Sequence, residues 1–580
     1  MGFRKSPGGA TIHRFSLPEH PGKRNLLYSL RLSSPTSPHN AAFDFFTISI
    51  LVLFVGILAF QVRTAVHREI LHYDEGWYLC EARGLRALIQ SAPSLLRHKE
   101  AFSKWKMEIR QKGLILPPGN GKPSFILLLA MTMLLPVREA CAGDFLTITS
   151  CFFGVLCFFF LCRKFGSNFR ESAALTLLFF MSPIWNYYSV TTIANPLSAA
   201  VLLAGILCYV NGKWFWACFL FGFSFTVHYT AITVAGILFC AMTLELWQEL
   251  PSRRNPWSAW IKYSVVLLLP FLVWQALYLI GRWLTKDHLS DVVYRTYWEQ
   301  LTYNYGRVTT GRPSTWVHTF YRNLRIFSAL ARTETWPVAA LLIASPFMVL
   351  VYWRKMQIRE RALGLAALIV PAFWIINPGT VVSRVVLTFL PLLYLSSVLV
   401  VSRWERLRRF SPRIKVTALI VLMGFSLNQT VRNGQKLRSP FRDAVFYLKQ
   451  HGFSGQIADS ESWPVWQFYQ RTRMGFRPEI VMTDIARLRQ EMNRAIAENR
   501  PQAVPVIIYN GQPVWGNGEA YAAFSHRLFS LSPSVQWPMP YAHIPAFIME
   551  TDRGMREADR PGSVTLYWVD KASMKRLFPG

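Results

Sequence analysis

Two adjacent carboxylates, Asp74 and Glu75, stand in the stretch "LHYDEGWYLCEARGL" (71–85), among aromatic and apolar side chains. A positioned carboxylate is a natural proton acceptor for an attacking hydroxyl or amine. A plainer reading is that Asp74 caps the helix that "EGWYLCEARGLRALIQ" is expected to form. Capping accounts for one carboxylate and for nothing downstream. There, "GKPSF" carries Lys122, "IANPL" carries Asn195, "FTVHYTA" carries His228 and "SRVVLTFLP" carries Arg384. Of these, Lys122, Arg384 and His228 could serve as fixed positive groups, which stabilise developing negative charge. Adjacent helical residues point ~100° apart, so Asp74 and Glu75 cannot address one substrate atom equally. The reading favours Asp74 as the base, with Glu75 as its orienting partner or alternative.

The elements that must position these residues are membrane spans. The chain has 580 residues, 52% of them hydrophobic. Several apolar runs match the ~20 residues a helix needs to cross ~30 Å of hydrocarbon. The expected fold is mainly α: a polytopic bundle of about 11–13 transmembrane helices over 43–430, with a C-terminal α/β domain over 431–580. Residues 1–42 form a basic N-terminal segment without an apolar signal region, and 43–62 serves as an uncleaved anchor. The runs 173–190, 193–210 and 384–401 each read as one span. "PSFILLLAMTMLLP" (123–136) is short and bounded by prolines, so it is expected to re-enter without crossing.

With that assignment, the basic clusters Arg163/Lys164/Arg170, Arg253/Arg254, Arg354/Lys355/Arg359/Arg361 and "RWERLRRFSPRIK" share one side with the N-terminus. The positive-inside rule makes that side cytoplasmic. Loop 63–122, loop 283–335, the hairpin "NPGTVVSR" and the tail then lie outside, in a multi-pass protein of the cytoplasmic (inner) membrane. The first loop is itself basic, through Arg83, Arg86, Arg97, Lys99, Lys104, Lys106, Arg110 and Lys112; these face either lipid headgroups or an anionic substrate. The net charge of +31 thus reports topology and contact with membrane lipids. No nucleic-acid partner is expected, because no recognition signature accompanies the charge. Most of the eight cysteines sit in apolar runs as small buried thiols; Cys80 and Cys141 are the one pair placed to bridge.

The tail changes character. "SPFRDAVFYLKQHG" reads as a helix entered at Ser439-Pro440 and stopped by Gly452, and "TDIARLRQEMNRAIAENR" as a second. "GQIADS", "VPVIIYN" and "SVTLYWVD" read as strands. A role in covering the active face or binding an acceptor is expected for this domain.

In order and side, "DEGWY", "GKPSF", "NPL", "HYT" and "RVVLTFLP" resemble the motifs of the glycosyltransferase C superfamily. The likeness is to its bacterial branch related to protein O-mannosyltransferases and lipid A aminoarabinose transferase, and it runs over about 43–430 and into the tail. Three positions depart from the pattern: Gly121 and Asn195 replace carboxylates, and Val385 replaces a tyrosine. The resemblance implies transfer of a sugar from a polyprenyl-phosphate donor to a lipid, glycan or protein acceptor at the outer face.

In such a reaction the phosphate leaving group is a weak base that needs neutralisation rather than protonation. Lys122, Arg384 and His228 would supply positive charge, and Asn195 would help hold the donor. One base plus cations implies displacement with inversion, in contrast to the separated carboxylate pairs of glycosidases. Tyr73, Trp77 and Tyr78 would line a sugar or isoprenoid groove, or else anchor the interface. Tyr303, Arg307 and Glu334 would be lid contacts. No cofactor is demanded; a divalent cation is an open addition, and Asn195 in place of an acid argues against an obligatory one. The rival readings are a transporter or flippase of lipid-linked precursors, which would carry ionisable groups at the membrane midplane, and a non-catalytic envelope scaffold.

Overall fold

The computed structural model describes residues 39–578, apart from 71–72, 98–120, 249–255, 286–297, 299–315, 378–382, 404–411, most of 454–562, and 569. Of the second expected tail helix only Arg489, Gln490, Asn493, Arg494 and Ala497 are described, all of them helical; Tyr303, Arg307, Lys99, Lys104, Lys106, Arg110, Lys112, most of the "NPGTVVSR" hairpin and nearly all of the N-terminal segment lie outside the described residues. The chain divides into two units, Met1–Leu53 and Phe54–Gly580. The described part of the first is the beginning of helix α1 (His39–Arg68).

From α1 the chain runs through α2 (Tyr73–Arg97), α3 (Pro123–Thr132), α4 (Glu139–Lys164), α5 (Phe169–Phe180), α6 (Pro183–Ser189), α7 (Ala194–Val210), α8 (Trp214–Val227) and α9 (Ile232–Gln248). It continues with α10 (Pro256–Thr285), α11 (Trp316–Thr333), α12 (Trp336–Val351), α13 (Ile358–Ile376), α14 (Leu390–Arg403) and α15 (Pro412–Gln435). Five of the described helical stretches are long and apolar enough to cross a bilayer, and a bent pair makes a possible sixth. Four shorter apolar helices, α3, α8, α12 and α14, accompany them. The chain is a multi-pass membrane protein, although length and composition alone do not return a count of 11–13.

The run 173–190 is not one helix. It breaks at Met181–Ser182, and α6 then meets α7 at 117°. The cause is local. Pro183 starts a new helix at its first position, where a missing N–H costs nothing. Ser182 caps that helix by accepting from the Trp185 amide at 3.1 Å. Likewise, 384–401 begins as a 3-10 turn, Ser383–Thr388, and becomes α-helical only at Leu390, just before Pro391.

Both ends of α3 are tied to α2. At its start Lys122 Nζ donates to the Tyr78 hydroxyl; just past its end the Met133 carbonyl accepts from Arg86 Nη1 at 3.1 Å. Ten residues span only ~15 Å, half a hydrocarbon thickness. Helix α3 is thus held against α2 at both ends.

Partly buried ion pairs collect at helix termini. At the end opposite α2, Arg359 Nη2 meets Glu245 Oε1 at 2.5 Å, Arg403 Nη2 meets Glu360 Oε1 at 2.6 Å and Lys415 Nζ meets Glu171 Oε1 at 3.2 Å. These join the end of α9 to the start of α13, the end of α14 to the start of α13, and the start of α15 to the start of α5. No disulfide links Cys80 to Cys141; both keep their thiols.

The tail begins with α16 (Pro440–Gln450), capped by Ser439, whose hydroxyl accepts from the Arg442 amide. Gly452 follows it at φ 61, a conformation that suits glycine and ends the helix. Strands β1 (Ile457–Asp459), β2 (Ile480–Val481), β3 (Val506–Tyr509), β4 (Val535–Pro538) and β5 (Ser563–Trp568) form one sheet in the order β2-β1-β3-β5-β4. β1 pairs in parallel with β2 and β3, whereas β5 is antiparallel to β3 and β4. Helices α17 (Trp463–Tyr469) and α18 (Lys571–Leu577) complete an α/β arrangement.

The course of α3 has a direct test. In a background without native cysteines, cysteines placed at Gln90 and Val137 should react with a membrane-impermeant maleimide from one side, and one at Arg354 from the other. Labelling of Gln90 and Val137 from opposite sides would mean that α3 crosses.

Candidate active site

The first turn of α2 brings Asp74 against the Arg384 guanidinium as an ion pair. Both remain partly open, with side chains 19% and 21% exposed respectively. Arg384 rides on the 3-10 turn, and its backbone carbonyl accepts from Asn195 Nδ2 at 3.4 Å. Asn195 is itself buried in the first turn of α7. It therefore acts on Arg384 through the backbone.

Four residues along α2 from Asp74 is Tyr78, on the same helix face. Its hydroxyl accepts from Lys122 Nζ, which also lies 4.7 Å from the ring centroid. Lys122 is buried just outside α3, and Gly121 before it adopts φ 65, a left-handed turn that favours glycine. Phe125 then packs edge-on against Tyr78, with centroids 5.3 Å apart.

Burial pushes Lys122 down to about 8; Asp74 opposes the fall and Arg384 adds to it. Burial and then Asp74 push the Tyr78 phenol above its ordinary range, so it stays protonated. His228 follows α8 and is buried, with Nδ1 2.7 Å from Thr230 Oγ1 and its ring stacked on Tyr229. Burial, reinforced by Lys122 and Arg384, holds it well below the usual imidazole range. Burial thus disfavours the charge expected of His228, whose Nδ1 is engaged with Thr230.

Glu75 points elsewhere and is 1% exposed. Arg68, the last residue of α1, donates from Nη2 to Glu75 Oε2 at 2.8 Å and to Asp144 Oδ1 of α4 at 2.7 Å. The Thr192 amide donates to Glu75 Oε2 at 3.0 Å, and the Thr192 hydroxyl lies 3.4 Å from Asp144 Oδ1. Every oxygen of Glu75 is engaged, since Arg68 Nη1 donates to Oε1 at 3.2 Å. Its environment is that of a scaffold and not of a base. Sequence reading missed Arg68, Asp144 and Thr192. Arg68 and Asp144, charged residues at the margins of apolar runs, were the available signal.

Trp77 Nε1 donates to Glu81 Oε2 at 3.1 Å on the partly exposed side of α2. Glu334 is no lid residue. It is 2% exposed and accepts from Ser182 Oγ, from the Ile184 amide at 3.1 Å and from Tyr394 Oη at 2.9 Å. It therefore anchors the start of α6, and burial pushes it up to about 7 against those hydrogen bonds. Among the described residues, no three His, Cys, Asp or Glu side chains are grouped to hold a metal ion.

Fold and site together define a polytopic membrane protein with a charged cluster where its helices end. The same architecture is found in ArnT from Cupriavidus metallidurans bound to undecaprenyl phosphate, with TM-score 0.52 and 12% identity, covering 90% of this chain and 98% of that one. ArnT from the same organism in the apo state gives TM-score 0.50 and 11% identity, covering 85% and 96%. At such identities the likeness speaks for the fold alone. The chain belongs to the EpsG family, whose model matches residues 143–440, just over half its length. That stretch includes Asp144, Asn195, His228 and Arg384 and leaves α2 and Lys122 outside it. No curated protein matches the sequence.

Removing Arg68 leaves two buried carboxylates uncompensated, a change that costs ~3–5 kcal/mol. Arg68→Met should lower the thermal midpoint in detergent markedly. Asp144→Asn should lower it less, because Glu75 keeps its partner and the new side-chain amide still accepts a hydrogen bond. Equal midpoints for Arg68→Met and wild type would show that the network contributes nothing.

Proposed function

We propose that this protein is a membrane glycosyltransferase that takes a sugar from a polyprenyl-phosphate-linked donor and passes it to a lipid, glycan or protein acceptor. The observation that carries the reading is the convergence of Asp74, Arg384, Lys122 and Tyr78, which come from three distant parts of the chain. Membership of the EpsG family is consistent with it, and so is the fold shared with a protein captured on undecaprenyl phosphate.

In this reading Lys122 and Arg384 neutralise the donor phosphate, and His228 adds a hydrogen bond. Tyr78 holds Lys122, and Asn195 sets the turn that carries Arg384. As phosphate engages Arg384, the guanidinium's hold on Asp74 weakens and the carboxylate becomes more basic. Asp74 then takes the proton from the acceptor as it attacks the anomeric carbon. The bond from that carbon to the phosphate oxygen breaks, and the electron pair leaves on the phosphate. A single base on one face and a leaving group on the other give inversion. Positive loops at the opposite helix ends support a site at the outer face of the cytoplasmic membrane, by the preference of Lys and Arg for the cytoplasmic side. Residues 431–580 form the adjoining soluble domain on that face.

A transporter would place ionisable groups midway through the bilayer. The partly buried ion pairs described above sit at helix termini instead, which favours chemistry at the surface.

Deleting the gene should remove a sugar from an envelope glycan, detected by mass spectrometry, and wild type should restore it. Asp74→Asn should not: loss of a general base costs roughly 10²–10⁴ in rate. Normal restoration by Asp74→Asn would overturn the reading.

Lys122 supplies a pH test. A lysine with a lowered pKa is charged below that value and neutral above it, and that of Lys122 is about 8. Affinity for undecaprenyl phosphate should therefore fall as pH rises from 7 to 9. In Lys122→Arg the fall should vanish, since arginine stays charged. A flat wild-type profile would remove Lys122 from phosphate binding.

A further inference from the structure

The junction between α1 and α2 is held from the tail. Glu69, directly after Arg68, has φ 55, a left-handed conformation rare for a residue with a side chain. Such a conformation persists only where the surroundings fix it. Here Arg68 Nη1 donates to the Glu69 carbonyl at 2.6 Å, and the side-chain contacts come from the C-terminal domain. Tyr469 Oη donates to Glu69 Oε2 at 3.0 Å, and Arg442 Nε lies 3.6 Å from Glu69 Oε1. Ser439 Oγ donates to the Ile70 carbonyl, and Arg442 Nη1 donates to the His67 carbonyl at 3.1 Å.

Helix α17, which carries Tyr469, also packs on α2 itself. A Cβ on Gly76 would lie 2.7 Å from the Val465 backbone nitrogen, so the glycine in "DEGWY" permits this approach. One further turn or two along, the Arg83 guanidinium covers the Phe468 ring at 4.3 Å. Tyr469 is buried, and burial and Glu69 both push its phenol above the ordinary range, which keeps it a donor.

We infer that Tyr469 is a positioning residue: through Glu69 it locks the junction that sets the rotation of α2 and hence the aim of Asp74. The C-terminal domain is then part of the catalytic scaffold in addition to any contact it makes with an acceptor. The inference rests on the assignment of Asp74 as base.

The test compares full-length variants in the deletion strain, following the rate at which the Asp74-dependent glycan appears after induction. Hydrogen–deuterium exchange over residues 73–78 and the thermal midpoint are measured on the same purified proteins. Tyr469→Phe should slow glycan appearance by about tenfold or more, since small misplacements of a reacting group carry large rate losses. It should also speed exchange in 73–78 at an unchanged midpoint. Glu69→Gln keeps the acceptor and should approach wild type.

Glu69→Gly separates side chain from backbone. Glycine relieves the left-handed strain, so improved or unchanged activity would show that the Tyr469 contact is irrelevant; a loss matching Tyr469→Phe supports the lock. If Tyr469→Phe does not accumulate, Glu69→Gly decides. Wild-type rates in Tyr469→Phe, or slowing without a change in exchange over 73–78, overturn the inference. Should Asp74→Asn itself make the glycan normally, the proposed function falls, and the exchange data still report whether the lock exists.

Discussion

The site depends on one buried cation. Arg68 ends α1 with its side chain 1% exposed, and it holds a carboxylate from α2 and another from α4. Two anions gathered around one guanidinium in a dry setting are tolerable only with near-complete hydrogen bonding. Thr192 supplies further donors from the turn before α7. Three helices and a turn are thus brought to one point by electrostatics, and the exposed face of α2 is oriented as a consequence. Asp74 meets Arg384 because Glu75 is occupied elsewhere.

This division of labour resolves the adjacent carboxylates. The ~100° between neighbouring helical residues sends Glu75 into the bundle and Asp74 toward an open edge. Tyr78, four residues on, shares the face of Asp74 and holds Lys122. Each group in the cluster is in turn held by something whose role is purely geometric: Gly121 for Lys122, Asn195 for the turn of Arg384, Thr230 for His228.

Much of this was legible in the sequence, for physical reasons. Apolar runs of membrane length located the bundle. The prolines around 123–136 bounded a short apolar piece, which forms the ten-residue α3. Asp74 and Lys122 stood out as charges amid apolar residues at span boundaries. Long-range partners were not legible. Nothing local to Arg68 announces Asp144, and Glu334 resembles any loop acid until Ser182 and Tyr394 close around it. The break at Ser182 was also missed, because hydropathy averages over a proline that starts a helix as readily as one that ends it. The amphipathic α11 escaped for the related reason that a one-sided helix lacks a continuous apolar run.

The four residues between Arg68 and Tyr73 have a consequence for how such chains diverge. A residue gained or lost there would change the register between Arg68 and the start of α2, moving Glu75 off its guanidinium and Asp74 off its edge. A substitution at Glu69 removes only its own contacts to Tyr469 and Arg442, whereas a change in length displaces every residue that follows. Among homologous chains the spacing from the arginine to the acidic pair should therefore be more uniform than the identities of the residues between them.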